Sequence, residues 1–385
     1  MNAGIGSEVD AETSGQAPAR GVVRVAVAGA TGYVGRELIG LLARHPLARL
    51  VRLMSSGRRS KSAAALESFP IEESHPGLRG VLDQGSRAPI ERGGAAGPIR
   101  CQPLDLAPLT PAEVDLVFLA TPHETSLEVV PELIERGLKV IDLSGAFRLK
   151  APGVYPRWYG FEHDAAAALA EAVYGLPELN RDAIAAAQLV SNPGCYATSI
   201  ILALAPLVKA GWVDVEAGII ADAKSGASGA GRAPSEKLHF AEVNENCRAY
   251  GLFTHRHLPE VIQALGLRER DLTFTPHLLP VTRGILSTVY VRLKGSPGSA
   301  SAAQVAALYR DFYSRAPLVR VWDSGLPEIS SAAHTPYADL GFALEPESRR
   351  LIVVSVLDNL GKGAAGQAVE NMNLTCGFAQ DLGLQ

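Results

Sequence analysis

Val22-Val23-Arg24-Val25-Ala26-Val27-Ala28, followed at once by Gly29-Ala30-Thr31-Gly32-Tyr33-Val34-Gly35, decides the fold of this chain. The first seven residues are rich in valine and predict a short buried strand. The next seven space their glycines as GxxGxxG, and a helical pattern runs on from Tyr33 to Arg44. Strand, glycine turn and helix in that order form the phosphate-binding corner of a dinucleotide fold. Gly29 permits the tight turn, Gly32 a close backbone approach to a pyrophosphate, and Gly35 close packing of helix on strand. The pyrophosphate would rest on the helix N-terminus. An ordinary βα turn is the plainer reading, and the flanking elements argue against it.

The alternation continues downstream. Strands are predicted at Leu50 to Met54, Asp115 to Ala120 and Lys139 to Leu143, with a helix near Ser126 to Arg136. Strand and helix in turn predict a parallel sheet. The end of the second strand selects the nucleotide. NAD sites usually place a carboxylate there. This chain has Ser55-Ser56-Gly57-Arg58-Arg59-Ser60-Lys61 instead. Hydroxyls and cations suit a 2′-phosphate, so NADP(H) is the expected cofactor. A solvated basic loop is the alternative for Arg58, Arg59 and Lys61.

After about residue 185 the texture changes. Strands are predicted at Gln188 to Ser191, Gly218 to Ala223, Leu272 to Pro280, Leu286 to Arg292 and Leu351 to Val356, with fewer helices between them. That pattern predicts a second α/β domain with a mixed sheet. The expected organisation is a disordered leader (1–20), a doubly wound Rossmann-type NADP-binding domain (21–187), a catalytic and dimerisation domain (188–357), and a C-terminal helix returning to the first domain (358–385). Residues 57–103 are rich in Gly, Ser and Arg and resist assignment.

Within the second part, Ser191-Asn192-Pro193-Gly194-Cys195-Tyr196-Ala197-Thr198 turns into an apolar helical run ending near Lys209. A cysteine at a helix start meets unpaired N–H groups and the positive end of the macrodipole. That environment favours thiolate, and the same N–H groups could stabilise an oxyanion. A small buried cysteine is the other reading, since free cysteine is often buried. A thiolate beside a hydride carrier points to oxidation or reduction through a thioester, because a thiolate both attacks and leaves well.

His255-Arg256-His257-Leu258-Pro259-Glu260 offers an acid/base, and nothing in the pattern separates His255 from His257. A metal reading of His-x-His lacks a third ligand cluster. Arg148, in Asp142-Leu143-Ser144-Gly145-Ala146-Phe147-Arg148-Leu149, follows a predicted strand and could hold a carboxylate or phosphate, or form a surface ion pair. Ser225-Gly226-Ala227-Ser228-Gly229-Ala230-Gly231-Arg232 could line an anion site with its backbone, or serve as a linker. Asp358-Asn359-Leu360-Gly361-Lys362-Gly363-Ala364-Ala365-Gly366 is a second glycine-rich turn, expected to close over the nicotinamide.

Composition bounds the reading. The chain has 385 residues, 47% of them hydrophobic, and a net charge of −4. It suits two or three soluble domains with no basic field for nucleic acid. Four widely spaced cysteines read as reduced thiols of a cytoplasmic protein. No apolar run is long enough to span a membrane, and no secretory signal is evident.

Taken together, GATGYVG at 29–35, HPGLRG at 75–80, LATPHE at 119–124, DLSGAFRL at 142–149, SNPGCYAT at 191–198, SGASGAGR at 225–232, HRHLPE at 255–260 and DNLGKGAAGQAVENMNL at 358–374 resemble the N-acetyl-γ-glutamyl-phosphate reductases, a family of the aspartate-semialdehyde dehydrogenase superfamily. The likeness covers about residues 22 to 380. SNPGCYAT with HRHxPE is specific to the family, whereas GATGYVG occurs across the superfamily. The resemblance implies NADPH-dependent reduction of N-acetyl-γ-glutamyl phosphate in arginine biosynthesis, in a homodimer or homotetramer. It makes Cys195 the nucleophile and His255 or His257 the proton carrier, with Arg148 and Asn192 on the substrate. Gly29, Thr31, Gly32, Tyr33, Val34, Gly35, Ser55, Ser56, Arg58, His123, Ser225, Gly226, Gly229 and Asn359 fall on the cofactor side. The leader and residues 84 to about 100 depart from the pattern. So does Thr121-Pro122-His123-Glu124, where the family usually reads Leu-Pro-His-Gly. A relative reducing an aminoadipyl phosphate for lysine synthesis would differ by one methylene, which changes discrimination by only about 1–3 kcal/mol. An NADP-sensing regulator with a silent site is the non-enzymatic rival.

Overall fold

The computed structural model describes residues 21–56, 68–81, 99–296 and 298–385. The leader, the basic run Arg58, Arg59 and Lys61, and nearly all of the 84–100 insertion lie outside the described residues.

Eight strands form the first sheet: β1 (Val23–Ala28), β2 (Ala48–Met54), β3 (Phe69–Pro70), β4 (Arg100–Gln102), β5 (Leu116–Leu119), β6 (Lys139–Asp142), β7 (Val173–Tyr174) and β8 (Leu189–Ser191). Their order is β3-β4-β2-β1-β5-β6-β8-β7, parallel except for the β3–β4 pair. Read outward from β1, this is the doubly wound order, with its switch point between β1 and β5. The expected parallel sheet is present. The strand before the cysteine turn belongs to this sheet too, as β8 pairs with β6, so the first sheet runs past residue 187.

Helix α1 (Tyr33–Arg44) crosses between β1 and β2 and buries Gly35, Leu38, Ile39, Leu42 and Ala43. The spacing i, i+3, i+4, i+7, i+8 makes one apolar stripe against the sheet. Helix α2 (His123–Glu135) follows β5, and α3 (Pro177–Ala186) precedes β8.

The second sheet holds β9 (Ile219–Gly226), β10 (Arg248–Ala249), β11 (Leu272–Leu279), β12 (Ile285–Arg292), β13 (Val319–Val321), β14 (Ala338–Glu345) and β15 (Arg350–Leu357). Its order is β10-β11-β9-β12-β15-β14-β13, with β11–β9 and β14–β13 parallel and the other pairs antiparallel. This is the mixed sheet expected. Helix α4 (Cys195–Lys209) is buried along nearly its whole length against β12 and β15. Such a helix must be apolar all round. The buried hydroxyls of Thr198 and Ser199 are satisfied: Thr198 donates to Gly194 O at 3.2 Å, and Ser199 meets the hydroxyls of Ser287 at 2.8 Å and Ser355 at 3.1 Å. Helices α5 (Leu258–Leu265) and α6 (Ala302–Phe312) pack on α4.

Helix α7 (Gly366–Cys376) returns to the first domain. Val369, Met372 and Leu374 join the core of Val25, Leu38 and Phe118, and Asn373 Oδ1 lies 3.0 Å from His45 Nε2 on the α1–β2 turn. A π-helical turn, Gly361–Ala365, precedes α7. Among the described residues, no helix is long and apolar enough to cross a membrane.

Candidate active site

The glycine turn sits at the switch point. Gly29 has φ +79°, and a Cβ there would lie 2.1 Å from the carbonyl oxygen of Ala120, at the end of β5. Only glycine fits between the two strand ends. A Cβ at position 35 would fall 2.2 Å from Gly29 O, so that glycine lets α1 press onto the turn. At Gly32, the N-cap of α1, the nearest atom would be 3.5 Å away, leaving room over the helix N-terminus. The three glycines thus fit the roles a bound dinucleotide requires.

A cleft of about 620 Å³ opens from this turn. Thr31, Tyr33, Val34 and Ser56 line it on one side, and His123, at the start of α2, on another. The His123 ring stacks on Phe161 at 5.2 Å. Gly229 and Asn359 also face this cleft. Ser225 and Gly226 do not: they face a second cleft, of about 900 Å³, beyond the cysteine. Ser55 donates its N–H to Gln102 O and lines neither cleft.

Cys195 is the first residue of α4, at a wall common to both clefts. The Tyr196 N–H reaches toward its sulfur, as a helix start allows. Yet loss of water pushes the thiol up to about 11, against the opposing charges of Arg148 and Arg256. The expected thiolate at rest is therefore corrected: burial outweighs the helix terminus.

His257 is the N-cap of α5, and its ring lies over the cysteine turn. A Cβ at Gly194 would be 2.3 Å from its Nε2, so position 194 must lack a side chain. Burial holds His257 well below the ordinary histidine value, with His255 next in effect. His255 accepts the His257 N–H on Nδ1 at 3.1 Å and lines only the second cleft. Its titration is pushed down to about 4, by burial first and by Arg256 second. The structure separates the two histidines that sequence left together.

Glu260, one helical turn past His257, is fully buried and joins the parts. It accepts the Gly194 N–H at 2.9 Å, Arg148 Nη1 at 3.0 Å and the Tyr174 hydroxyl at 2.9 Å, and stands 3.9 Å from His257 Nε2. Sequence reasoning gave it no role, although His-x-x-Glu spacing on a helix places both on one face. Arg148, expected on the substrate, donates to Glu260, to Asn192 O at 2.8 Å and to Leu143 O at 2.9 Å. Burial is the largest single influence and works against its charge, but Glu260, Tyr159, Tyr174 and Asp142 together outweigh it and raise its pKa. Asn192 donates to Ala364 O at 3.3 Å and accepts from Asn371 at 3.0 Å. Both residues border the first cleft, but their bonds hold the cysteine turn.

Behind that turn, a Cβ at Gly363 would fall 2.8 Å from Cys195 Cβ. The π-helical turn therefore packs against Cys195. Lys362 beside it is buried, 2.7 Å from Glu178 and 2.5 Å from Glu370. Among the described residues, no group of three or more His, Cys, Asp or Glu side chains could hold a metal ion.

A cysteine thiol between a dinucleotide crevice and a second cleft is the layout of an acyl-transferring, hydride-transferring semialdehyde dehydrogenase. Residues 24–187 match the family model described as semialdehyde dehydrogenase, NAD binding domain, and residues 195–359 that of semialdehyde dehydrogenase, dimerisation domain. Within that class, the chain belongs to the N-acetyl-γ-glutamyl-phosphate reductase family. It is 45% identical to the reductase of that name from Pelotomaculum thermopropionicum, over 94% of this chain and 97% of that one. Identity to the namesake from Desulforapulum autotrophicum is 44%, over 94% and 98%. The fold is also that of aspartate semialdehyde dehydrogenase II from Vibrio cholerae complexed with ASA, at TM-score 0.63 and 18% identity, covering 92% of this chain and 98% of that one. The Candida albicans aspartate semialdehyde dehydrogenase with NADP aligns at TM-score 0.62 and 16% identity, covering 92% and 99%.

Proposed function

We propose that this chain reduces N-acetyl-γ-glutamyl phosphate to N-acetyl-L-glutamate 5-semialdehyde and phosphate, with NADPH, as a step of arginine biosynthesis. The observation that carries the reading is Cys195 at the wall shared by two clefts, with the His257 ring packed over its turn. The names of the relatives, 41–45% identical over 94% of the chain, support the substrate.

NADP(H) would lie along the Gly29–Gly35 turn, with His123, Gly229 and Asn359 farther along the cleft. When bound, it supplies the hydride that brings the acyl group to the aldehyde level. Cys195 attacks the acyl carbon, the C–S bond forms, and the C–O bond to phosphate breaks. The thiol proton leaves through His257 onto the departing phosphate. A neutral imidazole beside a thiol near 11 makes no resting ion pair, so the proton moves only as the sulfur attacks. N–H groups of the first turn of α4 face the oxyanion. After reduction the thiohemiacetal oxyanion expels Cys195 as thiolate, which regains a proton from solvent. Glu260 and Arg148 set the geometry without touching the substrate, and His255 faces the acyl chain in the second cleft. Function in a homodimer or homotetramer, through the second domain, accords with the description of its family model. The cytoplasm is the proposed location, where a nucleophilic thiol stays reduced.

The test runs the reaction backwards. N-acetylglutamate semialdehyde, phosphate and NADP with the enzyme should give phosphate-dependent growth of reduced-cofactor absorbance. Cys195→Ser should lose at least about a thousandfold of that rate, as nucleophile deletions do. Full activity in Cys195→Ser would end the thioester reading. Preference for the aminoadipate semialdehyde, one methylene longer, would reassign the substrate.

A further inference from the structure

The two clefts share six lining residues: Cys195, Gly229, Ala230, Ala233, Arg256 and His257. Arg256 is the one formal cation among them. It is exposed, and among the described residues it has no hydrogen-bond or ion-pair partner. Its surroundings differ sharply from those of Arg148, whose fork is bonded to a carboxylate and two carbonyls. An unpaired guanidinium at the mouth of an active site is a fork without its anion.

The proposed reaction puts a dianionic group at this spot. The phosphorus is only two bonds removed from the carbon that Cys195 attacks, so the phosphoryl oxygens must lie close to the junction of the clefts, where Cys195 stands. The histidines on either side of Arg256 are held neutral by burial and supply no charge. The carboxylate at the far end of the acyl chain would then fall farther down the second cleft, which Lys237 and Arg248 line with other cations. Resting on the function proposed above, we propose that Arg256 binds the phosphoryl group of the substrate, as leaving group in one direction and as attacking phosphate in the other. A secondary effect accords with this position: the Arg256 charge favours ionisation of the Cys195 thiol.

The backward reaction separates the three ligands. Arg256→Gln should raise the KM for inorganic phosphate about ten- to a hundredfold, the loss of one charge-assisted pair. The KM for semialdehyde and for NADP should stay within about twofold, and Arg256→Lys should recover part of the phosphate affinity. A second readout needs no turnover. Inorganic phosphate should protect Cys195 of the wild-type protein from iodoacetamide and fail to protect Arg256→Gln, whose alkylation without phosphate confirms an intact site. A raised semialdehyde KM with normal phosphate KM would overturn the assignment and give Arg256 to the acyl-chain carboxylate. Unchanged KM values with lower kcat, or undiminished phosphate protection in Arg256→Gln, would also overturn it. Absence of any phosphate-dependent NADP reduction by the wild-type enzyme would instead sink the function proposed above, while the protection experiment still tests Arg256.

Discussion

Two influences meet at the Cys195 sulfur. The helix start and the charges of Arg148 and Arg256 favour thiolate, while burial disfavours it and wins, leaving the thiol near 11. Reactivity then depends on proton removal during attack rather than on a standing anion. In the free enzyme, alkylation of Cys195 by iodoacetamide should climb about tenfold per pH unit from pH 7 to 9, without a plateau. A plateau below pH 8 would show that the thiolate is preformed. A cysteine at a helix start was legible from Pro193-Gly194-Cys195 running into an apolar helix. The protein partners of Arg148 and Asn192 were not, because a guanidinium or amide in sequence does not reveal which groups of the fold take its bonds. Gly194 was legible as a turn residue, but the space taken by His257 Nε2 was not.

Among the elements, the π-helical turn and α7 form the least expected unit. A returning helix is expected within 358–385, and the π-helical turn (Gly361–Ala365) with α7 (Gly366–Cys376) supplies it. What sequence did not disclose is that Lys362 is buried with two carboxylates. Burial pushes Glu370 up to about 7, against the pull of Lys362. Such a cluster is strong only while complete, since removing one partner leaves an uncompensated buried charge. Lys362→Met should lower stability by about 3–5 kcal/mol, read as an earlier urea-unfolding midpoint. A Lys362→Met, Glu178→Gln, Glu370→Gln triple variant should recover much of the loss. Equal loss in both would mean that the cluster's charge balance is irrelevant. Elsewhere, β14 escaped notice because Gly341 interrupts its apolar run, and α5 because it is only eight residues long and begins directly after His255-Arg256-His257.

Across the whole molecule, buried histidines set the response to acid. Burial lowers the titration of His45, His75, His163, His255 and His257. Above about pH 6.5 these groups are neutral in both states and stability is level with respect to them. Below it the unfolded chain takes up protons that the folded chain refuses, so stability falls until each folded value is reached, about 4 for His255. Each such histidine removes about 1.4 kcal/mol per pH unit in that window. The melting temperature should drop between pH 7 and 5, and His255→Asn should flatten that slope. A slope unchanged by the substitution would deny His255 its part.

Sequence alone determined the local chemistry: the glycine corner, the helix that begins at Cys195, and a parallel sheet followed by a mixed one. Those features depend on residues within one or two elements, where spacing dictates backbone shape. Tertiary structure decided which distant groups meet. Arg283 reaches from the second domain to Glu37 on α1 and to Asp358, and Arg232 reaches the carbonyl of Thr31. Glu260 on α5 joins the loop after β6, β7 and the cysteine turn, and among the described residues Arg256 stays unpaired where the clefts join. Pairings between residues tens or hundreds apart follow from packing and desolvation of the folded chain, which no stretch of sequence contains.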